Sequence, residues 1–546
     1  MKRFELSTMS IHEKICQTVI LNTLLAGELS DYGNPSEEIA KCGGMEGFLR
    51  EYPVGALFVG GEAISTDMRE AGDLRDTVNR CFNACPIPML FVSDLENGCG
   101  CIVNGLTEFP HLMALGACDD DKLAYDYGRA TALEALSVGI RWTFSPVADL
   151  NMNRWNPVTN NRCMGDNAEK TTRLIAALVK GMQDGGLAAA AKHFPGDGTD
   201  DRDQHLVTTN NRLKFEQWVE NHGKVFQTLV DCDVMSVMTG HISLSDYQNE
   251  RLNGRALPAT LSWELTTGLL KDRMGFHGVV VSDALMMGGY LGWYDRARAQ
   301  LETFKAGTDM MLWPVFDYIQ RMKDAIAGGE VSMDRLDDAV SRILAMKERL
   351  GLFEINNPFV SLSTDDNAFI KKTARDVAEK SITLVKNTTE ATPLSKDRDK
   401  RILMVGIMQD DGAYGKLHVL EEELRGRGAV VDRRRPISFQ ELERIHHSYD
   451  RIIYVLYSRP HVPKGPLDFS GQEAASVWAA LSCAADKSIV LSLGSPYFIK
   501  EYFEAAPVSV NAYSDCEATI RAMAKGLYGE IPFKGNSPVD LDMQYH

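Results

Sequence analysis

Leu187–His205 reads LAAAAKHFPGDGTDDRDQH. Five apolar residues give way to Lys192 and His193, and a Gly/Pro loop then carries four aspartates, a second histidine and Arg202. The apolar run has the length and continuity of a strand covered on both faces. Polar residues that end such a strand must pair with something or face a pocket. The pattern recurs on either side. With Ala188–His193 itself, the runs Cys16–Asn22, Gly55–Gly60, Met89–Asp94, Trp142–Asp149, Val234–His241, Gly278–Asp283 and Asp309–Trp313 make eight. Ala168–Gln183 and Lys214–Leu229 are long enough to be crossover helices between them. Eight strand–helix units predict an α/β fold, a (β/α)₈ TIM-type barrel, with an open doubly wound sheet as the rival. The barrel is preferred because Asp94, Asp149, Lys192, His193, His241 and Asp283 fall at the C-terminal ends of their runs, which line a barrel mouth.

Downstream, Met333–Leu350 places Leu336, Val340, Ile343 and Leu350 at helical spacing, and Gly351 is positioned to end that helix. Glu354–Asp366 is polar, contains a proline and lacks periodicity, so it reads as a linker. A second alternation follows. Ile402–Ile407, Arg451–Tyr457, Ser488–Leu493 and Val508–Tyr513 are strand-like, with Leu417–Arg425 and Ala474–Ala485 helical between them. The expected organisation is a barrel over 1–353, a linker over 354–370 and a smaller α/β sandwich domain over 371–546.

The chain has 546 residues, and 58 Lys plus Arg against 75 Asp plus Glu give a net charge of −17. That excess repels phosphate backbones and anionic lipid, so neither nucleic acid nor a membrane is an expected partner. The 11 cysteines are odd in number and scattered; Cys81/Cys85 and Cys99/Cys101 lack CxxC spacing. Reduced thiols in the cytoplasm are expected. Met1–Leu6 opens with two positive charges, but Glu13 and Lys14 interrupt any apolar core of a signal peptide. No phosphate loop, dinucleotide fingerprint or paired-histidine motif occurs, so neither a cofactor nor a metal is expected, zinc on His193 and His205 with the aspartates being the lesser alternative.

Candidate chemistry gathers in four stretches. Asp203-x-His205 lets a carboxylate hold one imidazole nitrogen, whereas Asp200 and Asp201 read as solvated loop. Gly278–Gly289, GVVVSDALMMGG, delivers Asp283 to a strand end, where it could equally cap the next helix. Phe91–Gly98, FVSDLENG, carries Asp94 and Glu96, a pair that by itself suggests turn chemistry. Asn160–Gly165, NNRCMG, carries Arg162, by itself an ordinary surface residue. Converging on one mouth, they suit a polyhydroxylated neutral ligand.

The motifs MSIHEKICQTVI, SDLENG, FSPVADLNMN, NNRCMGD, AAAKHFPGDG…DQH, LLKDRMGFHGVVVSDALMMGG, AGTDMML, RILAMKERLGLF and ITLVKN occur in this order. Together they resemble two-domain members of glycoside hydrolase family 3, specifically the β-N-acetylglucosaminidase branch. The resemblance implies that Asp283 is the nucleophile and that His205, oriented by Asp203, is the general acid/base. It also implies that Asp94, Arg162, Lys192 and His193 bind the hydroxyls and acetamido group of the terminal sugar. The implied function is a retaining, exo-acting β-N-acetylglucosaminidase that releases terminal β-linked N-acetylglucosamine by double displacement. Its partner would be a small-molecule glycoside. The alternatives are a phosphorylase, for which phosphate is a second partner, and a β-glucosidase of relaxed specificity. The chain departs from the branch at Asp197, where KHFPGHG is usual, and at Asn97 and Cys99, where DxEGGRV is usual. Glu473 is a loose match to the second-domain glutamate that serves as acid/base elsewhere in the family.

Overall fold

The computed structural model describes residues 5–22, 36–59, 70–389, 391–408, 410–458, 460, 465 and 467–542. The N-terminal charges at Met1–Phe4 and the end of the second run at Gly60 lie outside them.

Eight short parallel strands line the first part of the chain: β1 Val19–Asn22, β2 Ala56–Phe58, β3 Leu90–Ser93, β4 Trp142–Thr143, β5 Ala188–Phe194, β6 Ser236–Thr239, β7 Val279–Ser282 and β8 Met311–Leu312. They pair in the order β7-β6-β5-β4-β3-β2-β1-β8. The ends of that order meet at a Val281–Met310 bridge, where Met310 N donates to the Val280 carbonyl (3.0 Å) and Ser282 N to the Met310 carbonyl (3.1 Å). The sheet therefore closes into the expected (β/α)₈ barrel. Ile20, Ala56, Phe58, Leu90, Val92, Ala188, Ala190, Val279 and Val281 pack inside it, while Leu21, Leu57, Phe91, Ala189, Ala191 and Val280 meet the surrounding helices. With neither face wet, the strands read as unbroken apolar runs rather than alternating ones. Trp142 fills the interior and donates from Nε1 to Ser236 Oγ (2.8 Å), so its polar edge is satisfied.

Two elements differ from expectation. The run read as Trp142–Asp149 forms a ladder only at Trp142–Thr143 and touches β5 again at a Val147–Lys192 bridge. Pro146 lies between them and has no N–H to offer the ladder. The helix read over Lys214–Leu229 is two, Phe215–Glu220 and His222–Asp231, separated at Asn221, whose φ −114°, ψ −102° is not helical.

The helix Met333–Arg349 packs against the barrel, and Gly351 follows it at φ +67°, a backbone conformation only glycine adopts without strain. Its Lys347 is buried at the N-terminal end of the barrel, where Nζ donates to Gln17 Oε1 (2.6 Å). Burial pushes this ammonium down to about 7. Its stabilising contribution is complete only above the ordinary lysine value of about 10.5 and is lost as the pH falls through about 7. A shift of that size costs about 4 kcal/mol at neutral pH. We expect Lys347→Met to stabilise the protein at pH 7 by about 2 kcal/mol, after the loss of the Gln17 hydrogen bond. A lower thermal midpoint than wild type at that pH would refute the assignment.

The stretch read as a linker to residue 370 is loop only as far as Ser363. Ser363 Oγ accepts from Asp366 N while Asp366 Oδ2 accepts from Ser363 N, a reciprocal cap that starts an 18-residue helix at Thr364. Ile370, Ala374 and Val377 of that helix pack into the barrel's outer core. Beyond it, β9 Thr383–Asn387, β10 Arg401–Ile407, β11 Val430–Arg434, β12 Arg451–Leu456, β13 Ser488–Ser492 and β14 Val508–Asn511 pair in the order β9-β14-β13-β12-β10-β11. Only β9 runs antiparallel. Helices cover both faces, making the expected α/β sandwich. Sequence reading passed over β11, whose arginines sit on an edge that water can solvate. Among the described residues no helix is long and apolar enough to cross a membrane.

The second domain seats on the barrel's C-terminal end. Asn151 Nδ2 donates to Tyr497 Oη (2.8 Å), Asn161 Nδ2 to the Tyr513 carbonyl (3.0 Å), and Lys380 Nζ to Asp120 Oδ2 (2.6 Å).

Candidate active site

Chain order separates Glu96 from Arg162 and Lys192, yet the barrel brings β3, the loop after β4 and the end of β5 side by side. Glu96 accepts from Arg162 through both oxygens, from Nε at 2.8 Å and from a terminal guanidinium nitrogen at 2.7 Å. Lys192 Nζ lies 2.7 Å from Glu96 Oε1 and 2.8 Å from Asp94 Oδ1. Burial pushes the Glu96 carboxyl up, but Arg162 and Lys192 outweigh it and hold the group well below the usual carboxylate range. For Lys192, burial is likewise outweighed, here by Asp94 and Glu96, so the ammonium stays charged. Lys192 is enclosed, whereas the Asp94 side chain is 41% exposed and presents carboxylate to the mouth. Sequence reading assigned Glu96 to a turn. The available signal was its position two residues after Asp94 at a buried strand's end.

A second group forms one residue on. His193 donates from Nδ1 to Asp149 Oδ2 (2.7 Å), and the backbone N–H groups of His193 and Asp197 both reach Asp149 Oδ1 (3.0 and 2.8 Å). Burial opposes ionisation of Asp149, but His193 and these amides prevail and lower its pKa. For Asp197 similar support is outweighed. Its Oδ1 accepts from Asn156 Nδ2 (2.8 Å) and Gly198 N (2.7 Å), and its enclosed Oδ2 meets no partner. Burial, and then the Asp149 charge, push this carboxyl up to about 7. A raised carboxyl contributes stability that is complete below about pH 4 and is lost as the pH rises through the folded value. Asp197→Asn mimics the un-ionised acid, so its thermal midpoint should gain on wild type between about pH 4 and pH 7 and level off above that. A difference independent of pH would count against this.

The loop that follows is braced, not merely solvated. Asp200, read as an exposed acid, is 1% exposed. It accepts from Arg202, Arg212 and Asn210 N, and although burial opposes ionisation, these donors hold its carboxyl at about 2. Two guanidiniums explain why it can be buried. Asp201 is exposed, as expected, and pairs with Arg212. Farther along, His205 donates from Nδ1 to Asp203 Oδ1 (2.7 Å), and its backbone N–H reaches the same oxygen (2.8 Å). The imidazole is 24% exposed and Asp203 is buried. Gly288 N donates to the His205 carbonyl (2.7 Å) and Gly289 N to the Gln204 carbonyl (3.2 Å), tying this loop to the segment after β7.

That segment begins at Asp283. Its Oδ1 accepts from Ala284 N (2.7 Å), and its enclosed Oδ2 has no protein partner. Burial would raise this carboxyl, but His193, His241 and His205 together lower it and keep it ionised. His241, at the end of β6, donates from Nε2 to the Ala284 carbonyl (3.0 Å) and lies 2.9 Å from Thr260 Oγ1 through Nδ1; burial lowers its pKa. Asp283 does not cap the helix at Gly288, which starts after Met287. One mouth thus collects Asp94, Arg162, Lys192, His193, Asp203, His205 and Asp283. Glu473 lies in the first turn of the second-domain helix Gly471–Cys483. Among the described residues no group of three His, Cys, Asp or Glu is placed to hold a metal ion. Chemically, the arrangement offers a free carboxylate oxygen, an imidazole fixed by a carboxylate, and paired charges that can hold hydroxyls.

The glycosyl hydrolase family 3 N-terminal domain model matches residues 11–346. The chain is 32% identical, over 90% of both proteins, to a β-N-acetylglucosaminidase/β-glucosidase of Cellulomonas fimi. Among solved structures it resembles the β-glucoside phosphorylase BglX, with a TM-score of 0.84 and 28% identity over 99% of this chain and 95% of that one. It also resembles a family 3 β-N-acetylglucosaminidase from Paenibacillus sp. str. FPU-7, with a TM-score of 0.82 and 25% identity over 98% of this chain and all of that one. A barrel mouth of paired carboxylates, a family model spanning the barrel and full-length relatives converge: the chain is a glycoside hydrolase and belongs to glycosyl hydrolase family 3.

Proposed function

We propose that the enzyme is a retaining, exo-acting β-N-acetylglucosaminidase working by double displacement. The observation that carries the reading is Asp283, ionised and with one oxygen unclaimed by protein, beside an imidazole whose other nitrogen is fixed. Asp283 attacks the anomeric carbon as its bond to the aglycone oxygen breaks. His205, held through Nδ1 by Asp203, supplies the proton to that oxygen from Nε2. The same nitrogen then takes a proton from water, which attacks the anomeric carbon and releases Asp283. Asp94, Lys192, Arg162 and His193 hold the polar groups of the terminal sugar. All 11 cysteines are free thiols, which supports work in a reducing, cytoplasmic setting.

Phosphorolysis is the second reading. A carboxylate base beside the glycosyl-enzyme repels an incoming phosphate dianion, and a histidine does not. The likeness to a β-glucoside phosphorylase favours it further. Chromogenic β-N-acetylglucosaminide and β-glucoside, each with and without phosphate, test both. Free sugar formed regardless of phosphate supports hydrolysis. A large rate gain with phosphate, yielding sugar 1-phosphate, replaces hydrolysis with phosphorolysis. A preference for the glucoside makes the enzyme a β-glucosidase of relaxed specificity, and release from neither removes the reading.

A further inference from the structure

Trp313 stands one residue past the end of β8, as Asp283 stands one residue past the end of the adjoining β7. The backbone there is held on both sides. Leu312 N donates to Ser282 Oγ (3.0 Å), Leu285 N to the Leu312 carbonyl (3.3 Å), and Trp313 N to the Ile20 carbonyl of β1 (3.1 Å). Trp313 adopts φ +59°, a left-handed conformation that bulky side chains rarely take. Its indole N–H is enclosed and finds no acceptor. Two costs, a strained backbone and an unpaired donor, therefore meet on one residue beside Asp283. Glycine would relieve the first and an aliphatic side chain the second.

What tryptophan supplies here, and glycine or an aliphatic residue would not, is a broad aromatic surface. The ring stands edge-on to Phe58 (5.2 Å between centroids, 89° between planes), and Phe58 stacks on Phe144 (5.9 Å). Together with Met286, Trp313 caps the apolar interior of the barrel while staying partly exposed at the mouth. Asp94, Glu96 and Lys192 gather on the opposite arc, at the ends of β3 and β5.

We propose that Trp313 is the apolar floor of the sugar subsite and takes the C–H face of a β-linked pyranose whose ring substituents are equatorial. This deepens the glycosidase reading and rests on it. The charged arc grips hydroxyls, and the indole excludes water beneath the ring and sets its distance from Asp283. Because it grips the ring and not the 2-substituent, its loss weakens β-glucosides and β-N-acetylglucosaminides alike.

The test combines kinetics with tryptophan emission. Trp313→Ala should raise KM roughly tenfold or more for both chromogenic glycosides with a smaller effect on kcat, and Trp313→Phe should recover most of that affinity. Adding N-acetylglucosamine or glucose should change the emission of the wild-type protein, and this response should vanish in Trp313→Phe, whose other six tryptophans remain. An unchanged KM in the alanine variant, or an undiminished emission response in the phenylalanine variant, overturns the proposal while leaving the glycosidase reading intact. If the wild-type enzyme turns over neither glycoside, the glycosidase reading fails, and the emission response alone then decides whether Trp313 meets a sugar.

Discussion

Asp283→Ala is expected to reduce turnover of any accepted glycoside by roughly 10⁴- to 10⁶-fold, the range seen when a nucleophile is removed from a covalent mechanism. The motive is local. Asp283 ends an apolar strand, one oxygen is tied to Ala284 N, and the other has no protein partner. Three imidazoles keep the group charged despite its burial. A carboxylate maintained in that state, with an oxygen left free, is poised to attack and contributes little to the fold. The alanine variant should therefore keep the wild-type thermal midpoint. Near-normal activity in a folded Asp283→Ala protein would remove Asp283 as nucleophile and, with it, the proposed double displacement.

Glu96→Gln should act in the opposite way, on stability first. Glu96 neutralises two enclosed cations, Arg162 and Lys192. Removing one partner of a buried ionic network leaves the others uncompensated, which costs about 3–5 kcal/mol. Asp94 alone, 41% exposed, is a poor substitute. We expect a clear fall in the unfolding midpoint near neutral pH, together with a higher KM as Lys192 and Arg162 shift. The pH dependence has a definite sign. Because the folded Glu96 pKa is lowered, its contribution is complete above the ordinary glutamate value of about 4.3 and is lost as the pH falls through the lowered value. The difference between wild type and variant should thus narrow in strong acid. An unchanged midpoint at neutral pH would show that the network does not carry this load.

The two positions also mark how far the sequence could be read. Asp283 was legible because its signal is contiguous: four apolar residues, then Ser282 and Asp283, then glycines. The Asp203–His205 pair was legible for the same reason, being two residues apart. Glu96 was not, since the cations that define it lie 66 and 96 residues away, on other strands' loops. Asp200 failed similarly: Arg212, which makes its burial possible, approaches from the far side of the loop. Trp313 gave no signal, because neither a positive φ nor an unpaired indole N–H has a sequence pattern.

Local chemistry by itself determined the eight strand–helix units, the second α/β domain and the polar character of the strand ends. Runs apolar on both faces can only be strands covered on both sides, and polar residues at their ends must find partners or solvent. Which partner each one found was decided by closure of the barrel. The Val281–Met310 bridge joins the first and last members of the sheet, setting Asp283 beside Trp313 and placing Lys192 within reach of Asp94 and Glu96. Those distances depend on the stagger and order of all eight strands at once. No single stretch of sequence contains that information, so the charge states of the site, its unclaimed carboxylate oxygen and its aromatic floor are properties of the tertiary structure.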